Sequence, residues 1–289
     1  MADISLHEAF AATRHSLTGH FSADEALALS RAVYADVAGY SPVDIVLRKD
    51  TTISDFTRNR IDEVVKRLLA DEPLQYILGH THFYGIDIMV TPAVLIPRPE
   101  TEELVDIIVK EWSDRTDLHV LDLCTGSGCI ALALARNLKF PVVEGVDISP
   151  EAIEVARGNA DALKVKAVFK VEDVLGLTPP EEPFCDIIVS NPPYVLDSEA
   201  KSMDANVLDY EPHLALFVPD DDPLRFYKAI GRYAAGALLP GGKLYLEINP
   251  LEVEPLCEML RSFGLEDVHS IADMTGRQRF VIAKSSHYD

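Results

Sequence analysis

The spacing of hydrophobic residues changes along this chain, and each change marks a different part of it. Over the first 75 residues, apolar side chains recur at helical intervals: Leu27, Leu29, Ala32, Val33 and Val37, then Ile61, Val64, Val65, Leu68 and Leu69. Such spacing lines one face of a helix. Ser22-Ala-Asp-Glu25 has capping-box spacing ahead of the first run, Gly39 follows it, and Ser41-Pro42 offers another N-cap and first-turn proline. Residues 1–75 are expected to form a small helical bundle that packs or grips a partner.

From Gln75 to Arg98 the pattern shortens to extended pieces at 81–84 and 86–91 about Gly85, with Pro92, Pro97 and Pro99 after them. This predicts a β-hairpin linker over 76–98. Glu100 to Trp112 then reads as an amphipathic helix with acids in its first turn. Beyond residue 118, apolar β-rich runs alternate with helical ones. Strands are expected over 118–123, 142–146, 167–171, 187–189, 243–248, 268–272 and 279–283. Helices are expected over 129–137 and 254–263, after Ser149-Pro150 and after Asp222-Pro223. Regular alternation predicts a doubly wound α/β sheet over 99–289, closed by a hairpin that contributes one antiparallel strand.

Composition narrows the class. The 289 residues suffice for about two domains. With 26 basic against 47 acidic residues the net charge is −21, which repels a phosphate backbone, so no direct nucleic-acid partner is expected. The N-terminus lacks a basic region followed by an apolar one, and no apolar run reaches membrane-spanning length. The four cysteines form no CxxC pair and the nine histidines show no ligand spacing, so a cytoplasmic protein with free thiols, no metal and no membrane association is expected.

Two turns carry the candidate chemistry. The strand 187–189 is stopped by Pro192 and Pro193, leaving Asn191 at a strand's carboxyl end, where open α/β sheets bind ligands. The Asn191 amide oxygen and the Pro192 and Pro193 carbonyls offer acceptors, and Tyr194 offers a ring for stacking. That set suits a neutral planar nitrogen carrying two hydrogens, in a carboxamide or a base amine; an ordinary Pro-rich turn fits the four residues equally well. The other turn, Asp122-Leu-Cys-Thr-Gly126-Ser-Gly128, has Gly126, Gly128 and Ala131 in the register of a nucleotide-binding fingerprint. Asp147 stands twenty-one residues after Gly126, the spacing of a ribose-binding carboxylate, and Asp173 follows the third strand, within reach of an adenine amine. A nicotinamide dehydrogenase and an S-adenosylmethionine enzyme fit these acids alike. Asp122 tips the balance, because a carboxylate beside the turn suits a cationic sulfonium and not a pyrophosphate. His80, His82 and Arg98 are placed to reach a site from the hairpin, and the two histidines are expected to be structural.

With these motifs in order, the chain resembles the protein-(glutamine-N5) methyltransferases that modify peptide chain release factors. Gln75-Tyr-Ile-Leu-Gly79, Phe83-Tyr-Gly85, Leu95-Ile-Pro-Arg-Pro-Glu-Thr101, the Asp122–Gly128 turn, Asn191-Pro-Pro-Tyr194, Tyr210-Glu-Pro212 and Asp273-Met-Thr-Gly-Arg277 carry the resemblance. It implies a seven-strand methyltransferase sheet, S-adenosylmethionine as cofactor with S-adenosylhomocysteine as product, and a release-factor glutamine as acceptor. The cofactor pocket is then assigned Asp122, Thr125, Gly126, Ser127, Gly128, Asp147, Asp173 and Asn191. Asn191, Pro192, Pro193 and Tyr194 are assigned to the glutamine, with Asn191, Pro192 and Tyr194 catalytic. Two positions depart from the family pattern: Cys124 stands where the turn has its first glycine, and Leu246-Glu-Ile-Asn249 lacks the glycine that usually follows the fifth strand. Among rival readings, an adenine methyltransferase asks the same of Asn191–Tyr194 but calls for a basic channel. A dehydrogenase leaves those four residues unexplained, and a silent adaptor leaves the acids unexplained.

Overall fold

In the computed structural model, which describes residues 4–286, the N-terminal helices begin at serines whose hydroxyls accept a backbone N–H three residues on. Ser5 starts α1 (Leu6–Thr18), Ser22 α2 (Ala23–Ala38), Ser41 α3 (Pro42–Leu47) and Ser54 α4 (Asp55–Leu68), with a short α5 (Leu74–Leu78) following. Each such bond satisfies an amide that has no partner inside the helix, worth about 1 kcal/mol. Leu6, Leu17, Val33, Tyr34, Ile61 and Leu68 fill the core between the helices. The buried stripe of α2 is Ala26, Ser30, Val33 and Tyr34, rotated from the expected set: Leu27 and Leu29 are only half-buried. Two residues apart, they point about 200° from each other and cannot share one face.

This helical unit runs to Gly79 and takes in a distant segment, α9 (Ala205–Tyr210), described below in chain order. The second unit begins at His80. Its hairpin, β1 (His80–Phe83) and β2 (Ile86–Met89), belongs to the sheet unit and is not a free linker, so the division falls after residue 79 instead of 75. Asn159 explains why: its side chain accepts from the Met89 N–H at 2.7 Å and donates to the Met89 carbonyl at 3.1 Å, closing the edge of β2.

The rest alternates as expected: α6 (Pro99–Trp112), β3 (His119–Leu123), α7 (Cys129–Asn137), β4 (Val142–Asp147), α8 (Pro150–Leu163), β5 (Val168–Val171) and β6 (Cys185–Ser190). After β6 come β7 (Val195–Leu196), α9, β8 (Phe217–Val218), α10 (Arg225–Ala237), β9 (Leu238–Glu247), α11 (Val253–Ser262), β10 (Glu266–Ala272) and β11 (Gln278–Lys284). Seven strands form one sheet in the order β10-β11-β9-β6-β3-β4-β5, and β11 alone runs antiparallel to its neighbours. β9 starts five residues before the expected 243. The Pro240-Gly-Gly242 turn is an irregularity inside the strand, since Leu238 already pairs with Cys185 before the register shifts. Among the described residues, no helix is long and apolar enough to cross a membrane.

From β3 the chain steps outward to β4 and β5, then returns to lay β6 on the other side of β3. The reversal opens a crevice at the carboxyl ends of β3 and β6, where ligands of open α/β sheets bind. Leu123 and Ser190, the last paired residues of the two strands, lie side by side there.

Candidate active site

The two chemical turns leave the sheet at that crevice. A cavity of about 620 Å³ opens between them, walled by the Cys124–Ser127 turn, Asp147, Asp173, Asn191, Pro193 and the segment carrying Arg98 and Thr101. Its size suits one cofactor-sized molecule.

The first turn is held from below. Asp122 is fully buried; its carboxylate accepts from the Thr125 hydroxyl at 2.6 Å and the Ala131 N–H at 3.2 Å. Gly128 caps α7 at φ 79°, where a side chain is strained, and a Cβ there would press within 3.1 Å of both Ala156 and Phe169. Gly126, at φ 54°, faces open space where a Cβ would stand, which clears the cavity floor. Cys124 also adopts a left-handed conformation, φ 61°. The turn thus keeps the backbone that a glycine would take there and carries the strain of a side chain. Burial, then Asp147 and Asp122, push the Cys124 thiol far above its usual range, so it is not a nucleophile.

Asp147 closes β4 with one oxygen on the Gly126 N–H at 2.9 Å and the other on the Ser149 N–H at 3.0 Å. Burial raises its pKa, opposed by those backbone donors. Asp173 holds the Leu175 N–H at 2.9 Å and stays exposed toward the cavity. Two carboxylates therefore edge the cavity at successive strand ends, each with lone pairs to spare for hydroxyl or amine donors.

Across the crevice, Asn191 donates through Nδ2 to the Thr101 hydroxyl at 3.3 Å. Thr101 in turn donates to Glu247 at 2.7 Å, and the Tyr194 hydroxyl donates to the other oxygen of Glu247 at 3.0 Å. Glu247 is buried at the end of β9; burial raises its pKa while Thr101, Tyr194 and Arg279 pull it down. Arg98 reaches the cavity wall from a segment pinned by buried Glu211, which takes the Ile96 N–H at 3.2 Å and the Arg98 guanidinium at 2.5 Å.

Of the residues expected from sequence, Thr125, Gly126, Ser127, Asp147, Asp173, Asn191 and Pro193 line the cavity. Four of the assigned residues do not line it. Asp122 does not face the cavity: its carboxylate is consumed inside the turn, with Oδ1 left unpartnered and its pKa pushed up to about 7 by burial. It organises the loop and offers no exposed charge to a cofactor. Tyr194 does not offer its ring as a wall; it is turned inward, packed on the core beneath β6, with its hydroxyl on Glu247 and its carbonyl on Asn249. Pro192 is likewise buried off the cavity surface. Gly128 shapes the turn without lining the cavity. His80 and His82 are also away from it, His82 paired with Asp87 at 3.1 Å, whereas Arg98 lines it. Sequence reading assigned no role to Thr101, Glu211 and Glu247. Thr101 and Glu211 stand inside motifs already visible, and only their partners, more than one hundred residues away, reveal what they do.

A seven-strand sheet with one antiparallel strand, a glycine turn after β3, acids closing β4 and β5, and an Asn-Pro-Pro turn after β6 define the S-adenosylmethionine-dependent methyltransferase class. The family model "Methyltransferase small domain" matches residues 101–208, and the model "PrmC N-terminal domain" matches residues 8–79. The chain shares its fold with the Thermus thermophilus 16S rRNA N2 G1207 methyltransferase solved with AdoMet and guanosine, at TM-score 0.51 and 23% identity over 71% of this chain and 49% of that one. The release factor glutamine methyltransferase of Bacteroides thetaiotaomicron is 44% identical over 93% of this chain and 96% of its own length. That of Streptococcus pneumoniae is 40% identical over 90% and 91%. The chain belongs to the release factor glutamine methyltransferases.

Proposed function

We propose that the cavity binds S-adenosylmethionine along Thr125–Ser127, Asp147 and Asp173 and receives a release-factor glutamine at Asn191. The observation that carries this reading is the Asn191 side chain: its Nδ2 is spent on Thr101, which leaves Oδ1 as an acceptor at the cavity wall. The residues fit the cofactor: Asp147 and Asp173 suit ribose hydroxyls and an adenine amine, and the space above Gly126 admits a ligand against backbone. When bound, S-adenosylmethionine supplies an electrophilic methyl on a cationic sulfur.

A carboxamide nitrogen is a weak nucleophile because its lone pair is delocalised into the carbonyl. Asn191 Oδ1 accepts from the glutamine NH2, aligns it, and stabilises the positive charge that grows on nitrogen in the transition state. Pro193, with no N–H, adds no competing donor to that wall. The nitrogen becomes acidic as it alkylates, so no strong side-chain base is needed.

On the helical unit, Val43, Val46, Leu47 and Phe56 leave between 64% and 77% of their surface exposed. Exposed apolar side chains of this size on a domain without chemistry of its own suit a protein contact, so residues up to Gly79 act as the substrate-recognition part. The −21 net charge disfavours nucleic acid in its place.

The test is transfer of a methyl label from S-adenosylmethionine to a purified release factor, with the modified residue located by mass spectrometry. Label on a glutamine side-chain amide is expected. Label on nucleic acid, or none on the release factor, would overturn the reading.

A further inference from the structure

We propose that Glu247, acting through Thr101, fixes which end of the Asn191 carboxamide faces the cavity. The inference rests on Asn191 being the acceptor for the glutamine amide. Glu247 lies 1% exposed at the end of β9, in the field of the Arg279 guanidinium, which is itself paired with Asp273 at 3.3 Å. Its two oxygens each receive a hydroxyl, Thr101 at 2.7 Å and Tyr194 at 3.0 Å. A carboxylate has no proton to return, and a threonine hydroxyl has only one. Once Thr101 has given its proton to Glu247, its oxygen can only accept.

The group facing that oxygen, 3.3 Å away, belongs to Asn191. An amide presents either a carbonyl oxygen or an NH2, and an oxygen there would set lone pair against lone pair. The NH2 is therefore turned inward and Oδ1 outward, toward the cavity. The reversed rotamer would aim NH2 at a glutamine NH2, donor against donor, and the acceptor role would be lost. Thr101 is itself fixed in the first turn of α6, 2% exposed, so its hydroxyl cannot swing away. Glu247 and Thr101 are thus positioning residues: the charge at the end of β9 is read out as the direction of one amide after β6.

The purified full-length enzyme carries the test. Thr101→Val keeps the volume and removes the hydroxyl; Thr101→Ser restores it. For Thr101→Val, kcat is expected to fall about 10–100-fold, while affinity for S-adenosylmethionine by calorimetry stays close to wild type; the melting temperature drops by several degrees, as in Tyr194→Phe, because buried Glu247 loses one donor. Thr101→Ser should recover most of kcat. In an Asn191→Ala background, Thr101→Val should add little further loss, because the group it orients is already gone. Wild-type kcat in Thr101→Val beside an impaired Asn191→Ala enzyme would overturn the relay and leave the acceptor role standing. An Asn191→Ala enzyme at wild-type rate would overturn both. Equal losses of kcat in the Val and Ser variants, or a Thr101→Val loss as deep in the Asn191→Ala background as in wild type, would reduce Thr101 to a packing residue and overturn the relay.

Discussion

The Ser190 hydroxyl donates to the Leu123 carbonyl at 2.6 Å, joining the last paired residues of β6 and β3 where the two chemical turns depart. Each strand end would otherwise fray at the point from which the Gly126 turn and the Asn191 turn must face each other. Ser190→Ala removes this bond from the buried strand ends at a net cost of about 0.5–1.5 kcal/mol. At roughly 2–4 °C per kcal/mol for a domain of this size, a fall in melting temperature of a few degrees is expected. Calorimetric melting checks it, and an unchanged midpoint would show that the bond contributes nothing.

Asp147 organises its turn and, in the proposed site, still has lone pairs for ribose hydroxyls. Asp147→Ala is expected to weaken S-adenosylmethionine binding by about 1–3 kcal/mol, the cost of donors left without an acceptor. Titration calorimetry measures this, with nicotinamide dinucleotides as the control ligand that should not bind. Equal affinity in the variant would remove Asp147 from the site.

Asp122 makes a pH-dependent contribution to stability whose sign follows from burial. Its native pKa is pushed up to about 7 from an ordinary value of 3.8. Between those values the folded chain holds a proton that the unfolded chain has lost, so stability falls as pH rises through this window and levels above it. At about 1.4 kcal/mol per pKa unit, the full effect has an upper limit of about 4 kcal/mol. Asp122→Asn does not ionise and lacks this slope. Its melting temperature relative to wild type should therefore climb from pH 4 to 7. A constant difference across the range would show that Asp122 is not held protonated.

The helical unit makes its own prediction. Leu47→Asp with Phe56→Asp places charge on two side chains that are 77% and 72% exposed and bury little. Folding and S-adenosylmethionine affinity should be unaffected, while KM for a whole release factor rises several-fold. Unchanged kinetics would show that the protein substrate does not rest on these two side chains.

Local signals carried most of the architecture into the sequence. The alternation of β-rich runs with helical ones placed all seven sheet strands, and Ser149-Pro150 and Gly39 placed helix ends, because period, caps and turn residues act within a few positions of themselves. The cavity-lining acids Asp147 and Asp173 were legible for the same reason: they close strands. What failed was the direction in which side chains face. Asp122 and Tyr194 belong to motifs whose spacing is correct, yet one is consumed by Thr125 and Ala131 and the other by Glu247. Glu247, Thr101 and Glu211 exert their effects through partners between 53 and 146 residues distant, and no periodicity reports such a pairing. The seam between the two units was also misplaced, because Asn159 on α8 claims the hairpin for the sheet.

Asn191 and Tyr194 sit three residues apart and are expected to fail in different ways. In the proposed reaction Asn191 Oδ1 contacts the reacting amide, more strongly as charge develops on nitrogen. Asn191→Ala should therefore lower kcat by about 10²–10³, the usual loss for one electrostatic contact at a developing charge. Its melting temperature should hardly move, since the side chain is half-buried and gives up one 3.3 Å bond. Asn191→Asp keeps an acceptor and brings negative charge beside a nitrogen turning positive, so it should retain more activity than the alanine variant. Tyr194 is half-buried and does not line the cavity; its hydroxyl donates to Glu247 at 3.0 Å. Tyr194→Phe strips one donor from a buried carboxylate, costing about 1–3 kcal/mol of stability, while kcat falls less than in Asn191→Ala because Thr101 still orients the amide. Measuring kcat and melting temperature on all three variants separates the roles. Loss of stability in Asn191→Ala with its rate intact would make that turn structural, and a rate loss in Tyr194→Phe as deep as in Asn191→Ala would return the tyrosine to the catalytic wall.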